Sequence, residues 1–447
     1  MGSNMSEQIH QVAIIGGGVC GTALLYLLTE YSDVNDVVLI EKYDAVAKVN
    51  SHGRNNSQTL HCGDIETNYT LEKATKVKAA AEMIVNYTET LENRDQIIFK
   101  YPKMVVGIGE KECRLLRERF LIFRDRFTSM QLLEKEDIAR VEPSVVMVNG
   151  EFRSEPCVAL AVLDEYSAVD YNQLAESFVS QATKNTDTSI QLKMNTHVEE
   201  IIHKDGVFHI NTDDRCIKAK TVVVSAGGHS LLLAQKMGHG LEFSCLPVAG
   251  SFYFTPKVLN GKVYTVQNDK LPFAAVHGDP DVLIEGKTRF GPTALLLPLL
   301  ERYNMGTFFE FLSVLKLDRR VLKVFWDLFK VSDIRNYILK NFLFEVPGLR
   351  RWLFLKDARK IVPSLQLKDI SFAKGFGGVR PQLIDKEKSV LMLGEAKINP
   401  GNGIVFNMTP SPGATSCLEN AEIDLRLVAG FLGAKIDEQK LQQVLHK

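Results

Sequence analysis

The chain has no cysteine pair in a C-x-x-C spacing. Its seven cysteines (20, 62, 113, 157, 216, 245 and 417) are scattered and odd in number. That excludes the pattern of a disulfide framework or zinc site and fits a reducing compartment. The histidines at 61, 197, 203, 209, 229, 239 and 277 show no ligand spacing either, so no metal is expected. A net charge of −1 provides no whole-chain attraction for nucleic acid. No uninterrupted apolar run approaches the roughly 20 residues that span a bilayer. No charged-then-apolar leader follows the opening "MGSNMSEQ", which reads as a tag remnant ahead of a native Met5. A cytoplasmic protein is expected, or one resting on the inner face of the cell membrane.

What is present suits a soluble globular protein: 45% hydrophobic and 24% charged residues. At 447 residues the chain is too long for one simple core, so two domains or one large discontinuous domain are expected. "QVAIIGGGVCGTALLYLLTEYSDVNDVVLIEK" reads as strand, glycine turn, helix, strand. Gly16, Gly18 and Gly21 form G-x-G-x-x-G, and Glu41 closes the second strand 20 residues after Gly21. Alone the glycines are a weak signal, but between strand and helix, with the acid in place, they mark a dinucleotide site. Gly16 permits the tight turn, Gly18 admits the pyrophosphate to backbone amides, and Gly21 lets helix and sheet pack closely. The helix N-terminus faces the phosphates, and Glu41 accepts the ribose hydroxyls. The N-terminal position and a second strand–glycine element, "TVVVSAGG" with Ala226 and Gly227, favour FAD over NAD.

Further along, helical spacing covers 71–93, 110–127, 131–143 up to Pro143, and 169–185 with a cap at Asp170. "IQLKMNTHVEEIIHKDGVFHINT" alternates like antiparallel strands turned at Asp205-Gly206. "TPSPGATSCLENAEIDLRLVAGFL" reads as a closing helix. Segment 295–360 carries 13 Lys+Arg against 7 Asp+Glu, interleaved with Phe309, Trp326, Phe329, Phe342 and Trp352. Such helices either lie in a lipid headgroup region or cover the substrate domain in solvent.

"NNSQTLHCGDIETNYT" at 55–70 is polar where a core segment would be apolar. With "VHGDP", "GPTAL", "GGVRP" and "PSPGATS" following in order, the chain resembles the D-amino-acid-oxidase-like flavoproteins and, within them, the FAD-dependent 2-hydroxyacid dehydrogenases. "NSQT-H-G-IETNYT" and "FNMTPSPGATSCL" are similar to the malate:quinone oxidoreductase family in its shorter bacterial form; L-2-hydroxyglutarate dehydrogenases share several of these motifs. The resemblance covers essentially everything past Met5. It implies an α/β (α+β) fold in which a Rossmann-like FAD-binding domain (8–75, 165–244, 370–440) is interleaved with a mixed-sheet substrate domain (76–164, 245–369) carrying a helical insertion. It also implies that the polar stretch lies along the flavin, with Asn56, Ser57, Gln58 and Thr59 as hydrogen-bonding groups. His61 either faces the flavin or substrate or is a histidine satisfied in a turn.

Oxidising a secondary alcohol requires loss of the hydroxyl proton and of the C2 hydride, which flavin accepts. His277, in a bend after an apolar strand, is the candidate base, with a structural histidine as the alternative. Arg380 is the candidate carboxylate clamp, or else a surface arginine. A second substrate carboxylate calls for another cation, and Arg289, Lys287 or Arg54 would serve. Gly401, Gly403 and Thr409 are expected to reach the flavin, and Pro412-Gly413-Ala414 to open the last helix toward it. The expected reaction is L-malate to oxaloacetate with electrons passed to a membrane quinone. Open alternatives are L-2-hydroxyglutarate or L-lactate as substrate, an oxygen-using oxidase, and a non-catalytic flavin-binding protein.

Overall fold

The computed structural model describes residues 8–267, 276–392, 394–410 and 412–447. The tag-like residues 1–4, part of the strand-rich 245–293 stretch, Leu393 of "VLMLGE" and Ser411 of "PSPGATS" lie outside the described residues. The fold is α/β with mixed sheets. In the first sheet, strands Ser189–Lys193, Asp36–Ile40, Ile9–Ile15, Cys216–Val224 and Ile404–Met408 run parallel in that spatial order. Their inner members are continuous apolar runs because helices cover both faces. Val12, Ile14, Val37 and Leu39 pack beneath helices Val19–Tyr31, Tyr171–Lys184 and Cys417–Leu432. Ala13, Ile15, Val38 and Ile40 point the other way, to helices Gly228–Lys236 and Thr307–Leu315.

The alternating stretch at 189–212 splits in two. Val198–Lys204 and Val207–Thr212 form the expected hairpin, with Asp205 at φ 53° and Gly206 at φ 75° in the turn, as the twist of flanking strands favours. Ser189–Lys193 instead pairs parallel with Asp36–Ile40 at the sheet edge. Its alternation records an edge strand's half exposure rather than antiparallel pairing. Asp170 caps its helix as expected, accepting from the Asn172 and Gln173 amides at 3.0 and 3.4 Å. Pro143 ends one helix, Lys135–Val141, and opens the next, Pro143–Val146, because a missing N–H costs nothing at the first helical position.

The second sheet orders Ser371–Phe372, Tyr253–Pro256, Lys287–Gly291, His277–Pro280, Lys262–Thr265, Lys103–Ile108, Cys157–Val162 and Gln131–Leu133. Its pairs are antiparallel except Lys262–Thr265 with Lys103–Ile108. Leu295–Leu296, Phe243–Ala249, Val379–Asp385 and Val390–Leu391 form a smaller sheet. Between its strands Leu295–Leu296 and Val379–Asp385 the chain makes a run of four helices, Thr307–Leu315, Arg319–Lys330, Ser332–Leu343 and Arg350–Ile361. The first and last are anchored in the two cores by Phe311 and Val314 and by Phe354 and Ala358.

Candidate active site

All parallel strands of the first sheet end on the same side, and their C-terminal ends release Gly16, Glu41, Ser225 and Thr409 into one cleft. Open α/β sheets bind ligands in this crevice. Gly16 has φ +108°, and a Cβ there would stand 2.5 Å from the Ser225 carbonyl oxygen. At Gly21 a Cβ would meet the Gly16 carbonyl oxygen at 2.0 Å, so no side chain fits. Gly18 and Gly227 differ in kind: their added Cβ atoms would meet only Ser51 Oγ at 3.3 Å and Asn50 Nδ2 at 3.9 Å. The first pair of glycines packs the turn, and the second leaves room for a ligand.

Glu41 is drawn into that turn. Its carboxylate accepts from the Gly17 amide at 2.7 Å and the Tyr43 amide at 3.0 Å. Burial raises its pKa above the ordinary carboxylate value, against those two amides. Helix Val19–Tyr31 begins at Gly18 without a side-chain cap on that residue. Ser51 Oγ accepts from the Val19 amide at 2.9 Å, and the Cys20 and Gly21 amides have no partner among the described residues. Unclaimed donors at a helix N-terminus form an anion site. A cleft that combines permissive glycines, the Glu41 carboxylate and these helix amides fits a dinucleotide such as FAD.

Ala226, Gly227, Thr409 and Gly413 also line the cleft. Pro412 stands just outside it and accepts the Thr415 amide at 2.7 Å. The helix that these turns precede starts at Cys417, so the prolines and Gly413 form its approach rather than its first turn. Gly401 and Gly403 fall elsewhere. They precede strand Ile404–Met408, where Val222 pairs with Ile404. Six residues of extended chain, roughly 20 Å, separate Gly403 from Thr409 in the cleft. A strand has two ends, and glycines at its beginning serve the opposite edge of the sheet.

The polar stretch is irregular but not idle. Asn56 Nδ2 donates to the carbonyls of Asn50 and His52, both at 3.0 Å, while its Oδ1 accepts the Gln58 amide. Gln58, buried at φ 51°, accepts the Val282 amide at 3.0 Å and donates to the Gly53 carbonyl at 3.2 Å. Both side chains tie the loop to itself and to the second sheet, leaving Ser57 as the one of the four whose hydroxyl makes no hydrogen bond among the described residues. Thr59 Oγ1 is shared with the Tyr264 hydroxyl at 2.8 Å and Lys262 Nζ at 3.2 Å. The residues from this region that line the cleft are Asn50 and Ser51, which motif reading passed over. The signal was available: small polar residues directly before a stretch already assigned to the flavin.

His277 opens its strand in the second sheet opposite Tyr264, whose ring stacks on the imidazole at 4.2 Å and 15°. Asp279 Oδ2 lies 3.6 Å from Nε2, and Lys262 Nζ lies 3.4 Å from the same carboxyl group. His61, half-buried, faces Glu66 Oε1 at 2.8 Å, and its amide donates to Thr415 Oγ1 at 3.1 Å. Burial works to raise Glu66, yet the His61 bond and charge, with Lys103, hold it below the ordinary carboxylate range.

The two arginines part company. Arg289 is fully buried. Its Nε is 3.4 Å from Asp281 Oδ2, Nη1 donates to the Gly53 carbonyl at 3.0 Å, and the guanidinium covers the Phe252 ring. Its charge is committed to Asp281 inside the sheet, so we do not assign it to a substrate. Lys287 and Arg54 are exposed, the latter over Phe376. Arg380 sits between Val379, held by Asn50 through both backbone groups, and Pro381, which lines the cleft. It has no carboxylate partner among the described residues. Burial lowers its pKa from the ordinary guanidinium value, opposed by the phenols of Tyr337, Tyr264 and Tyr69. One cluster of metal-ligand type, Cys62, Asp64 and Glu165, already surrounds the Lys103 ammonium, 2.6 Å from Asp64 and 3.4 Å from Glu165.

This combination of parallel sheet, second mixed sheet and glycine-lined cleft is the fold of the FAD-dependent oxidoreductases. Among solved structures it is similar to glycine oxidase from Geobacillus kaustophilus, with a TM-score of 0.65 at 17% identity over 94% of this chain and 95% of that one. It is also similar to L-α-glycerophosphate oxidase from Mycoplasma pneumoniae with FAD bound, with a TM-score of 0.62 at 20% identity over 96% of each. Residues 8–447 match the family model for malate:quinone oxidoreductase. A probable malate:quinone oxidoreductase of Campylobacter jejuni is 49% identical over 99% of this chain and 100% of its own length. A malate:quinone oxidoreductase of Helicobacter pylori (strain ATCC 700392 / 26695) is 45% identical over 99% and 98%. The chain belongs to the malate:quinone oxidoreductase family.

Proposed function

We propose that the chain oxidises L-malate to oxaloacetate and passes the electrons to a quinone at the inner face of the cell membrane. The work is then divided, with the nucleotide cleft in 8–75, 165–244 and 370–440 and the substrate side in 76–164 and 245–369, joined by Arg380 from the 370–440 segment. The observation that carries the reading is the guanidinium of Arg380: half-buried, unpaired with any carboxylate among the described residues, and next in the chain to Pro381 of the cleft. A partly desolvated cation without an anion is costly, and a substrate carboxylate held bidentately relieves that cost. FAD bound in the cleft supplies the two-electron acceptor for the C2 hydride. His277 takes the hydroxyl proton as the C2 carbonyl forms, and Asp279 beside it favours the imidazolium that results. Tyr264, stacked on the imidazole, fixes its plane and keeps water from that face. The two electrons and two protons leave on the quinone, regenerating the enzyme.

The helical run supports delivery to a lipid-borne acceptor. Among the described residues, 25 large apolar side chains are exposed, and 14 of them fall between Tyr303 and Trp352. Phe309 is 75% exposed, Trp326 63% and Trp352 61%, and residues 295–360 carry an excess of six basic residues. A patch this concentrated marks an interaction surface, and aromatic and basic residues together suit an anionic lipid interface. No helix among the described residues is long and apolar enough to cross a membrane.

The test is an anaerobic mix of the flavin-loaded protein with L-malate, L-2-hydroxyglutarate and L-lactate, following the visible flavin band. Bleaching by malate alone, reversed by a soluble quinone, supports the proposal. Bleaching by another of the acids reassigns the substrate, and a yellow protein that none of them bleaches sinks the 2-hydroxyacid reading.

A further inference from the structure

The nucleotide cleft is walled on one side by a segment that supplies none of the first sheet's strands. Leu300, Glu301 and Glu310 line it, and all three belong to the stretch that opens the helical run. Glu301 accepts from the Tyr43 hydroxyl at 2.5 Å and pairs with the Lys42 ammonium. Those two residues directly follow Glu41, the acid of the dinucleotide turn. Glu310 faces His229 Nε2 at 2.9 Å, and His229 directly follows Gly227 and Gly228 of the second glycine turn. Leu300 packs on that same turn, where a Cβ added at Gly228 would meet its Cδ2 at 3.2 Å. One segment therefore holds both turns, across 258 and 81 residues of chain.

The hold is stiff on the segment's own side. Glu301 is 6% exposed, and its amide and that of Leu300 both donate to Thr307 Oγ1 at 3.2 Å. Thr307 begins helix Thr307–Leu315 and donates in turn to the Asn304 carbonyl at 2.8 Å. Burial works to raise Glu301, yet Lys42 and Tyr43 hold it below the ordinary carboxylate range, and the His229 hydrogen bond does the same for Glu310. Both carboxylates are therefore ionised, and the Lys42 charge is committed to Glu301 rather than offered to a phosphate. What the two acids do is fix Lys42, Tyr43 and His229 in place around the cleft. On the helix that carries Glu310, Phe311 and Val314 are buried in the core, while Phe309 and Leu312 are exposed. The helix that reaches the cleft is thus also the start of the exposed apolar surface.

We propose that Glu301 and Glu310 are positioning residues of the cofactor cleft, and that FAD binding and the docking of segment 300–315 strengthen each other. The segment keeps the residues after Glu41 and Gly228 in the arrangement that the cofactor needs. Bound cofactor in turn favours the state in which the segment is docked, and thermodynamic reciprocity requires the same factor in both directions. The coupling does not depend on which acid is oxidised.

The test compares wild type with the double variant Glu301→Gln, Glu310→Gln, both as FAD-loaded protein. Flavin fluorescence on dilution reads the FAD dissociation constant, which should rise about tenfold in the variant. Limited trypsin digestion reads the other direction at Lys316, Arg319 and Arg320, exposed just beyond the helix. In wild type, saturating FAD should slow cleavage there about tenfold relative to protein diluted until its flavin leaves. Cleavage at Arg124 and Arg126, exposed after helix Glu110–Phe123, should not change. In the variant, FAD should protect neither place. A variant with wild-type FAD affinity overturns the proposal. So does wild-type cleavage at 316–320 that ignores FAD, or equal acceleration at both places when FAD leaves, which is general unfolding. If the variant does not fold, the wild-type digests alone decide.

Discussion

The nucleotide cleft and the substrate chamber are built from different materials. The floor of the cleft is made largely of backbone: glycines at 16, 18, 21 and 227, helix amides at 20 and 21, and the Glu41 carboxylate, itself held by main-chain N–H groups, while Glu301 and Glu310 line it from further along the chain. The proposed substrate side is made of side chains brought from far apart, with Tyr264, His277 and Arg380 on three different strands. A backbone site tolerates change only where a Cβ fits. A side-chain site tolerates change in shape but not in charge or hydrogen bonding. Substitutions in the two regions should therefore fail in different ways.

The largest effect is expected in the cleft. Gly21→Val would push a Cβ to about the position that lies 2.0 Å from the Gly16 carbonyl oxygen, an overlap that only separation of helix and strand can relieve. The variant should purify without flavin, or not fold, and the ratio of flavin absorbance to protein absorbance measures it. A yellow, stable Gly21→Val protein would show that the first turn is not packed as described, and the contrast between the regions would lose its firmest side.

His277→Asn should do the opposite, leaving flavin content intact while slowing its reduction by malate about 10²- to 10⁴-fold, the range for loss of a general base. His61→Asn is the companion, since His61 with Glu66 is another imidazole–carboxylate pair, on the polar stretch; a third, His229 with Glu310, lines the nucleotide cleft itself. Rapid mixing under anaerobic conditions reads both. If His61→Asn shows the larger loss, the proton passes to the His61–Glu66 pair and His277 is a structural histidine stacked on Tyr264.

How much of this was legible in the sequence follows from the same difference in materials. Gly16, Gly18, Gly21 and Glu41 could be placed from spacing alone, because one strand–turn–helix unit carries them all. Ala226, Gly227 and Thr409 follow the same logic, each directly after a strand of the same sheet. Gly401 and Gly403 resembled them in composition, but only strand direction tells which end of a sheet a glycine serves. The chamber was less legible. Asn56 and Gln58 have the right chemistry to meet a flavin, yet their side chains hold the loop. The Ser332–Leu343 helix reads as basic and amphipathic, and which of its faces turns inward depends on Asn341 meeting Ala294 across 47 residues of chain. Local pattern carries no information about that pairing.

The two arginines test this most closely, because sequence made Arg380 the clamp and Arg289 one of three options for the second carboxylate on motif alone. Arg380→Met removes a cation that has no carboxylate partner among the described residues, so the folded protein loses little. Its Tm should stay within a few degrees, while KM for malate rises about 100-fold, equivalent to the 2–3 kcal/mol of a charge-assisted bidentate contact. Arg289→Met strands Asp281 as a fully buried carboxylate opposite a thioether. Breaking such a pair costs about 3–5 kcal/mol of stability, so Tm should drop while the KM of the surviving folded enzyme stays near wild type. Thermal melts and malate titrations on the same two preparations give the four numbers. If both arginines lower Tm and neither moves KM, Arg380 is a structural residue and the second sheet has no clamp. If Arg289 moves KM alone, the ion pair with Asp281 opens when substrate enters, and the chamber extends one strand further than its resting geometry shows.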